Sequence, residues 1–145
     1  MSNSNNASVG PNATLAKVAG WAWVSYGALL GLVLLVMAAV LGPGGWVLVL
    51  LLLIVASIFA YVGSQTVRGK AKDTLGNGIG SIAFGLLGLT DAIQKLSTLT
   101  ADGDHAGAFG NLFGGLILLV AGVIAIIGRS SYKRWRASLD QKKAH

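Results

Sequence analysis

The sequence predicts an all-α integral membrane protein: a bundle of four transmembrane helices in two antiparallel hairpins, both termini cytoplasmic, with a short basic amphipathic helix at the C-terminus. Three observations lead there. The 145 residues are 54% hydrophobic and only 11% charged, with a mean hydropathy of +0.69, which is more apolar surface than a soluble domain of this size can cover. Four runs, at about 20–41, 46–63, 75–98 and 107–128, are apolar or small and near the ~20 residues a helix needs to cross a bilayer. Of the 11 Lys and Arg residues, all but Lys95 fall in segments that share one side if each run spans, as the positive-inside rule requires of cytoplasmic loops.

Residues 1–17 carry Ser, Asn, Ala and Pro11 without apolar periodicity and read as a flexible polar cytoplasmic tail. A cleaved secretory signal is disfavoured, because the run after Lys17 exceeds the 7–15 residues of an h-region and a second run follows almost at once. Residues 18–128 form a single transmembrane domain. Trp21, Trp23 and Tyr26 open its first helix, Trp46 opens the second and Tyr61 closes it, at depths where amphipathic rings favour the headgroup boundary. Gly42-Pro43-Gly44-Gly45 predicts a tight reversal, since Pro ends a helix and Gly tolerates positive φ. The second run, Val47 to Val55, has no polar face and is the most lipid-exposed of the four.

The third run places Gly78, Ser81, Gly85, Gly88 and Ala92 at spacings of three and four, and the fourth repeats the device with Gly107, Gly110 and Gly114, continued at intervals of seven by Ala121 and Gly128. Lipid supplies no hydrophobic drive between helices, so close backbone approach through small residues is what associates them. The third and fourth helices are therefore expected to pack tightly. Gly27 and Gly31 make a further GxxxG on the first helix, whose partner has no glycine through most of its length. An intermolecular contact is sought there first. Both hairpins begin on the same side, which permits a parallel internal repeat, but no residue-level correspondence is visible.

Asp91 and Lys95 are the one ionisable pair inside a predicted span, and their i, i+4 spacing puts them on one face. They sit one to two turns from the outer end, with Thr90 and Gln94 beside them. The readings open here are a mutually satisfied interfacial pair, a docking contact for another subunit, or part of an ion or substrate path. Asp102, Asp104 and His105 in the second outer loop lack the late carboxylate of a calcium loop and the donors of a transition-metal site, so no metal is expected. The chain has no Cys and no Glu, and no P-loop, dinucleotide fingerprint or Ser-His-acid arrangement. No catalytic residue and no cofactor is expected. Antiporters of the small-multidrug type depend on a membrane-embedded Glu in the first helix, and this first helix has no acidic residue.

Residues 129–145 form the basic tail. Tyr132, Trp135 and Leu139 share one helical side, while Arg129, Lys133, Arg134 and Arg136 occupy much of the rest, the pattern of a helix lying in the membrane interface. A protein-docking tail is the rival reading. With Arg68, Lys70 and Lys72 of the inner loop, these residues and Trp135 are expected to touch anionic headgroups, worth about 1 kcal/mol per basic residue. The net charge of +6 is thus assigned to lipid and not to nucleic acid. Taken together, the sequence suggests a non-catalytic accessory, structural or assembly subunit of a larger membrane protein complex in a prokaryotic cytoplasmic membrane. The alternative is a small homo-oligomeric transporter or channel.

Overall fold

A computed structural model describes residues 13–40, 45–98 and 105–143. They form five helices: α1 (Thr14–Val40), α2 (Trp46–Val67), α3 (Leu75–Ser97), α4 (His105–Ile127) and α5 (Arg129–Lys143). Pro43 and the turn around it, the loop with Asp102 and Asp104, residues 1–12 and His145 lie outside the described residues. Three helices are long and apolar enough to cross a membrane, over Thr14–Ala39, Val49–Val67 and Gly107–Ile127. α3 is not among them, because Asn77, Ser81, Thr90, Asp91, Gln94 and Lys95 dilute its apolar residues.

Two helices run further than their apolar runs. α1 starts at Thr14, because Ala13, Ala16 and Ala19 are buried against the rest of the chain and hold the segment in the bundle. The polar tail is correspondingly shorter than residues 1–17. α2 continues past Gly63 to Val67. Its polar last turns are sustained by back-bonding, Ser64 Oγ to Tyr61 O at 2.7 Å and Thr66 Oγ1 to Val62 O at 3.0 Å, which satisfies hydroxyls locally. The stop is a Schellman motif: Gly69 N donates to Thr66 O and Lys70 N to Gln65 O, with Gly69 at φ +70°, the left-handed conformation glycine adopts without a Cβ penalty.

The packing order across the molecule is α2, α1, α4, α3. α1 and α2 form one antiparallel hairpin, α3 and α4 the other, and each is knitted by glycine. A Cβ on Gly63 would lie 2.5 Å from Gly20 O, and one on Gly27 would lie 2.5 Å from Ala56 O. In the second hairpin a Cβ on Gly122 would lie 2.6 Å from Gly78 O, and one on Gly85 would lie 2.7 Å from Gly115 O. Any side chain there would force the backbones apart, so the close approach depends on its absence.

These contacts reveal a repeat. A shift of 58 residues, the separation of Trp23 and Ser81, carries Gly20 to Gly78 and Gly27 to Gly85. In the partner helices Gly63 then corresponds to Gly122 and Ala56 to Gly115. The two hairpins are parallel copies of one glycine-spaced unit, joined where α1 meets α4.

That junction is the core: Ala19 and Trp23 of α1 pack with Leu118, Ala121 and Ala125 of α4. At its centre Trp23 Nε1 donates to Ser81 Oγ at 2.9 Å, and Ser81 Oγ donates to Leu118 O at 2.7 Å. Three helices are thereby tied through equivalent positions of the two halves, each bond worth about 0.5–1.5 kcal/mol net. Phe59 of α2 meets Tyr26 and Phe84 edge-on, with ring centroids 5.5 and 5.6 Å apart, so it bridges the two edge helices at one level.

Candidate functional site

Two polar constellations and a set of apolar faces are candidates. The larger constellation caps one end of the bundle, where the α2–α3 connection runs along α5. Asp73 stands just before α3, and its Oδ1 accepts from Thr74 N at 2.7 Å and Leu75 N at 3.2 Å. A carboxylate is stabilised at that point because the first N–H groups of a helix lack partners and carry partial positive charge. Arg129 grips the same carboxylate with two nitrogens, Nε at 2.8 Å from Oδ1 and Nη2 at 2.6 Å from Oδ2. Lys133 adds an ion pair at 3.2 Å. The Arg129 guanidinium, with Lys133 and the two backbone donors assisting, holds the Asp73 carboxyl well below the usual carboxylate range.

Further along, Tyr132 OH donates to Ala71 O at 2.9 Å, and Thr74 Oγ1 donates to Ala125 O at 3.0 Å. Tyr132 is buried in a cluster with Ala13 and Ala16, and that burial pushes its phenol up from its ordinary value. Trp135 lies against Gly69, where a Cβ would come within 2.9 Å of the indole, and Lys17 Nζ sits 4.3 Å over the indole ring. Leu139 packs beside the indole, its Cδ1 2.8 Å from the same Cβ position.

The ring face of α5 is thus covered by the chain itself. This corrects the expectation that Tyr132, Trp135 and Leu139 turn toward the acyl boundary. Ala13, Ala16, Gly69 and Ala71 provide a small-residue bed on which the rings seat. The cationic face remains outward: Lys133 and Arg134 of α5 and Arg68, Lys70 and Lys72 of the connection are exposed, and Arg136 is half-buried. Arg129 is engaged with Asp73.

The second constellation lies toward the far ends of α3 and α4. Lys95 Nζ is 2.9 Å from Asp91 Oδ2, and Asn111 of α4 donates its amide to the same oxygen. The pair singled out in the sequence is therefore joined by a third residue that straps α3 to α4. Asp91 and Lys95 are half-exposed, and their polar groups are directed at each other and at Asn111.

The small residues divide into two groups. Gly78, Ser81, Gly85 and Ala92 are buried along α3, with Gly88 beside Asn111 and Gly115. Gly114 receives the Tyr26 ring, Gly128 receives Leu15 and Ala16, and Ala121 is in the core. Gly27 is enclosed by Ala56 and Ala60 of α2, so its contact is within the chain. Gly107 lies in the first turn of α4. By contrast Gly31, Gly76, Gly80 and Gly110 have open space where a Cβ would be. Gly31 opens between Leu32 and Leu35, each 60% exposed, and α2 presents Val47, Leu50, Leu51 and Ile54 outward.

Sequence reasoning passed over Asp73, Asn111 as a ligand of Asp91, and the Gly20–Gly63 contact. Asp73 had a signal: it is the one acid between the second and third apolar runs, placed directly before a helix start. Neither a family model, nor a characterised protein, nor a solved structure matches this chain.

Proposed function

We propose that the chain crosses the membrane four times and acts as a non-catalytic accessory, structural or assembly subunit of a larger membrane protein complex. In this reading α3 spans beside α4. Its 23 residues extend ~34 Å as a helix, and glycine contacts with α4 run from Gly78 to Gly88. Both termini then lie on the cytoplasmic side of a prokaryotic cytoplasmic membrane, with the capped basic end inward.

One observation carries the functional part. Two polar sets between the helices are closed on themselves, Trp23–Ser81–Leu118 and Asp91–Lys95–Asn111, while the glycine notch at Gly31 stands open on a leucine-rich face. Small residues on an outward face are what a second membrane helix packs into. The notch offers such a helix a seat without disturbing the chain's own packing.

The test is to purify the tagged protein from its native membrane in mild detergent, beside Gly31→Leu. A near-stoichiometric polypeptide recovered with the parent and lost from Gly31→Leu supports the reading. Recovery of both as the same self-oligomer overturns it and favours a small homo-oligomeric transporter or channel.

A further inference from the structure

The two edge helices leave a seam between them. α2 and α3 do not pack side by side as α1 and α4 do; below the Phe59–Phe84 contact they enclose a slot of about 190 Å³. Ile58 and Val62 of α2 face Gly76 and Gly80 of α3 across it, and Trp23 forms its floor. The internal repeat explains the gap. Where Tyr26 closes the α1/α4 seam onto Gly114, the equivalent Phe84 lines the α2/α3 slot together with Val55, a branched side chain in place of the glycine. The helices are held apart, and Gly76 and Gly80 have nothing over them.

The slot continues toward the basic end into a second hollow of about 400 Å³, sharing Val62, Gly76 and Asn77 with the first. Its character changes there. Gln65 and Lys72 join Asn77 at the mouth, with Tyr61 at the rim. Among the described residues the side chains of Gln65, Lys72 and Asn77 have no hydrogen-bond or ion-pair partner. Asp73 also lines this hollow, but its charge is taken by Arg129 and Lys133. Three unpartnered donors, one of them cationic, converge at the end of an apolar slot.

We propose that this seam is a binding site for one anionic phospholipid, with an acyl chain in the slot and the phosphate at Lys72, Asn77 and Gln65. The slot exceeds the ~150 Å³ that admits a benzene ring in an apolar cavity. A helix ~10 Å across cannot enter beneath the Phe59–Phe84 bridge, whereas a single acyl chain can. Phosphate oxygens accept from all three donors, and a lysine near the surface favours an anionic over a zwitterionic headgroup by about five-fold. The site rests on the reading that α3 crosses the membrane.

The experiment reconstitutes the protein in vesicles of equal phosphatidylglycerol and phosphatidylcholine, re-extracts it in mild detergent, and weighs the intact protein and its retained lipid by native mass spectrometry. One retained lipid per chain is expected, enriched about five-fold in phosphatidylglycerol. Gly80→Leu fills the slot and should lose the lipid while keeping its helical circular dichroism. Ile58→Trp, which narrows the slot from α2, should do the same. Gly31→Leu, on a distant open face, should retain the lipid, and Lys72→Gln should retain it with the enrichment gone. No retained lipid, equal retention by Gly80→Leu and Ile58→Trp, or no headgroup preference in the parent overturns the proposal. So does loss of a co-purifying polypeptide from Gly80→Leu in place of a lipid. Cysteine labelling across α3 separates this failure from that of the spanning reading: opposite-side labelling with no bound lipid removes the site alone.

Discussion

Two glycines of α3, barely more than a turn apart, should respond oppositely to one added methyl. At Gly85 a Cβ would lie 2.7 Å from Gly115 O and 2.8 Å from Leu119 N. Both are backbone atoms that no rotamer change can move. Restoring ordinary contact separates α3 from α4 by roughly 0.7 Å, a gap that forfeits a quarter to a half of the dispersion energy of the atoms involved. Overpacking of this kind costs about 1–3 kcal/mol, so Gly85→Ala should lose about 2 kcal/mol, roughly a thirty-fold shift in the folded-to-unfolded ratio. At Gly80 a Cβ meets nothing within 4 Å, and alanine there should gain up to ~1 kcal/mol from helix propensity. Reversible unfolding in mixed micelles of mild detergent and sodium dodecyl sulfate, followed by circular dichroism, gives both values. Gly27→Ala, the counterpart in the first hairpin with its Cβ 2.5 Å from Ala56 O, should match Gly85→Ala. If Gly80→Ala and Gly85→Ala agree within about 0.5 kcal/mol, the glycine-knit account of the hairpins is wrong.

Further outcomes follow from named contacts. Ser81→Ala leaves the buried Trp23 N–H without its acceptor and should cost about 1–3 kcal/mol in the same unfolding assay. Tyr132→Phe removes the bond to Ala71 O; a loss of about 1 kcal/mol is expected, together with faster tryptic cleavage at Arg68 and Lys70 as the connection loosens from α5. The Asp73 carboxyl is held below its ordinary range in the folded protein, so its contribution to anchoring α5 is complete at neutral pH. That contribution is lost as the pH falls below about 4, toward and through the depressed value. Hydrogen exchange in α5 should therefore be constant from pH 8 to 5 after correction for intrinsic rates and rise below 4. In Asp73→Asn it should be faster throughout and lack that step.

Much of the helical layout was legible in the sequence, because length and hydropathy alone decide whether a segment can reside in lipid. The ends of the helices were less so. Ser64 and Thr66 look like loop residues until their hydroxyls are seen to return to the backbone one turn earlier, and Ala13 and Ala16 carry no signal until Tyr132 is laid on them. The repeat was hidden for a related reason. Its two copies share glycine spacing, but Trp23 answers to Ser81 and Ala56 to Gly115, so the correspondence lives in backbone proximity and not in residue identity. The glycine stripes on α3 and α4 were visible, yet spacing could not separate Gly114, which receives the Tyr26 ring, from Gly110, which meets nothing. Asp91 and Lys95 could be paired from their interval alone. Asn111 could not, since its place beside them depends on how α3 and α4 align.

The reading as a whole turns on α3, the helix whose own hydropathy falls short of a spanning segment and whose crossing is inferred from its partnership with α4. The chain has no cysteine, so single cysteines at Lys70 and Thr98, which flank α3, report its two ends without background. Labelling by a membrane-impermeant maleimide in intact cells should modify Thr98→Cys at once and Lys70→Cys only after permeabilisation. Ala137→Cys on α5 should behave as Lys70→Cys does. Labelling of Lys70→Cys and Thr98→Cys from the same side would mean that α3 does not cross, and would contradict the four-span bundle, its inward basic cap and the readings built on them.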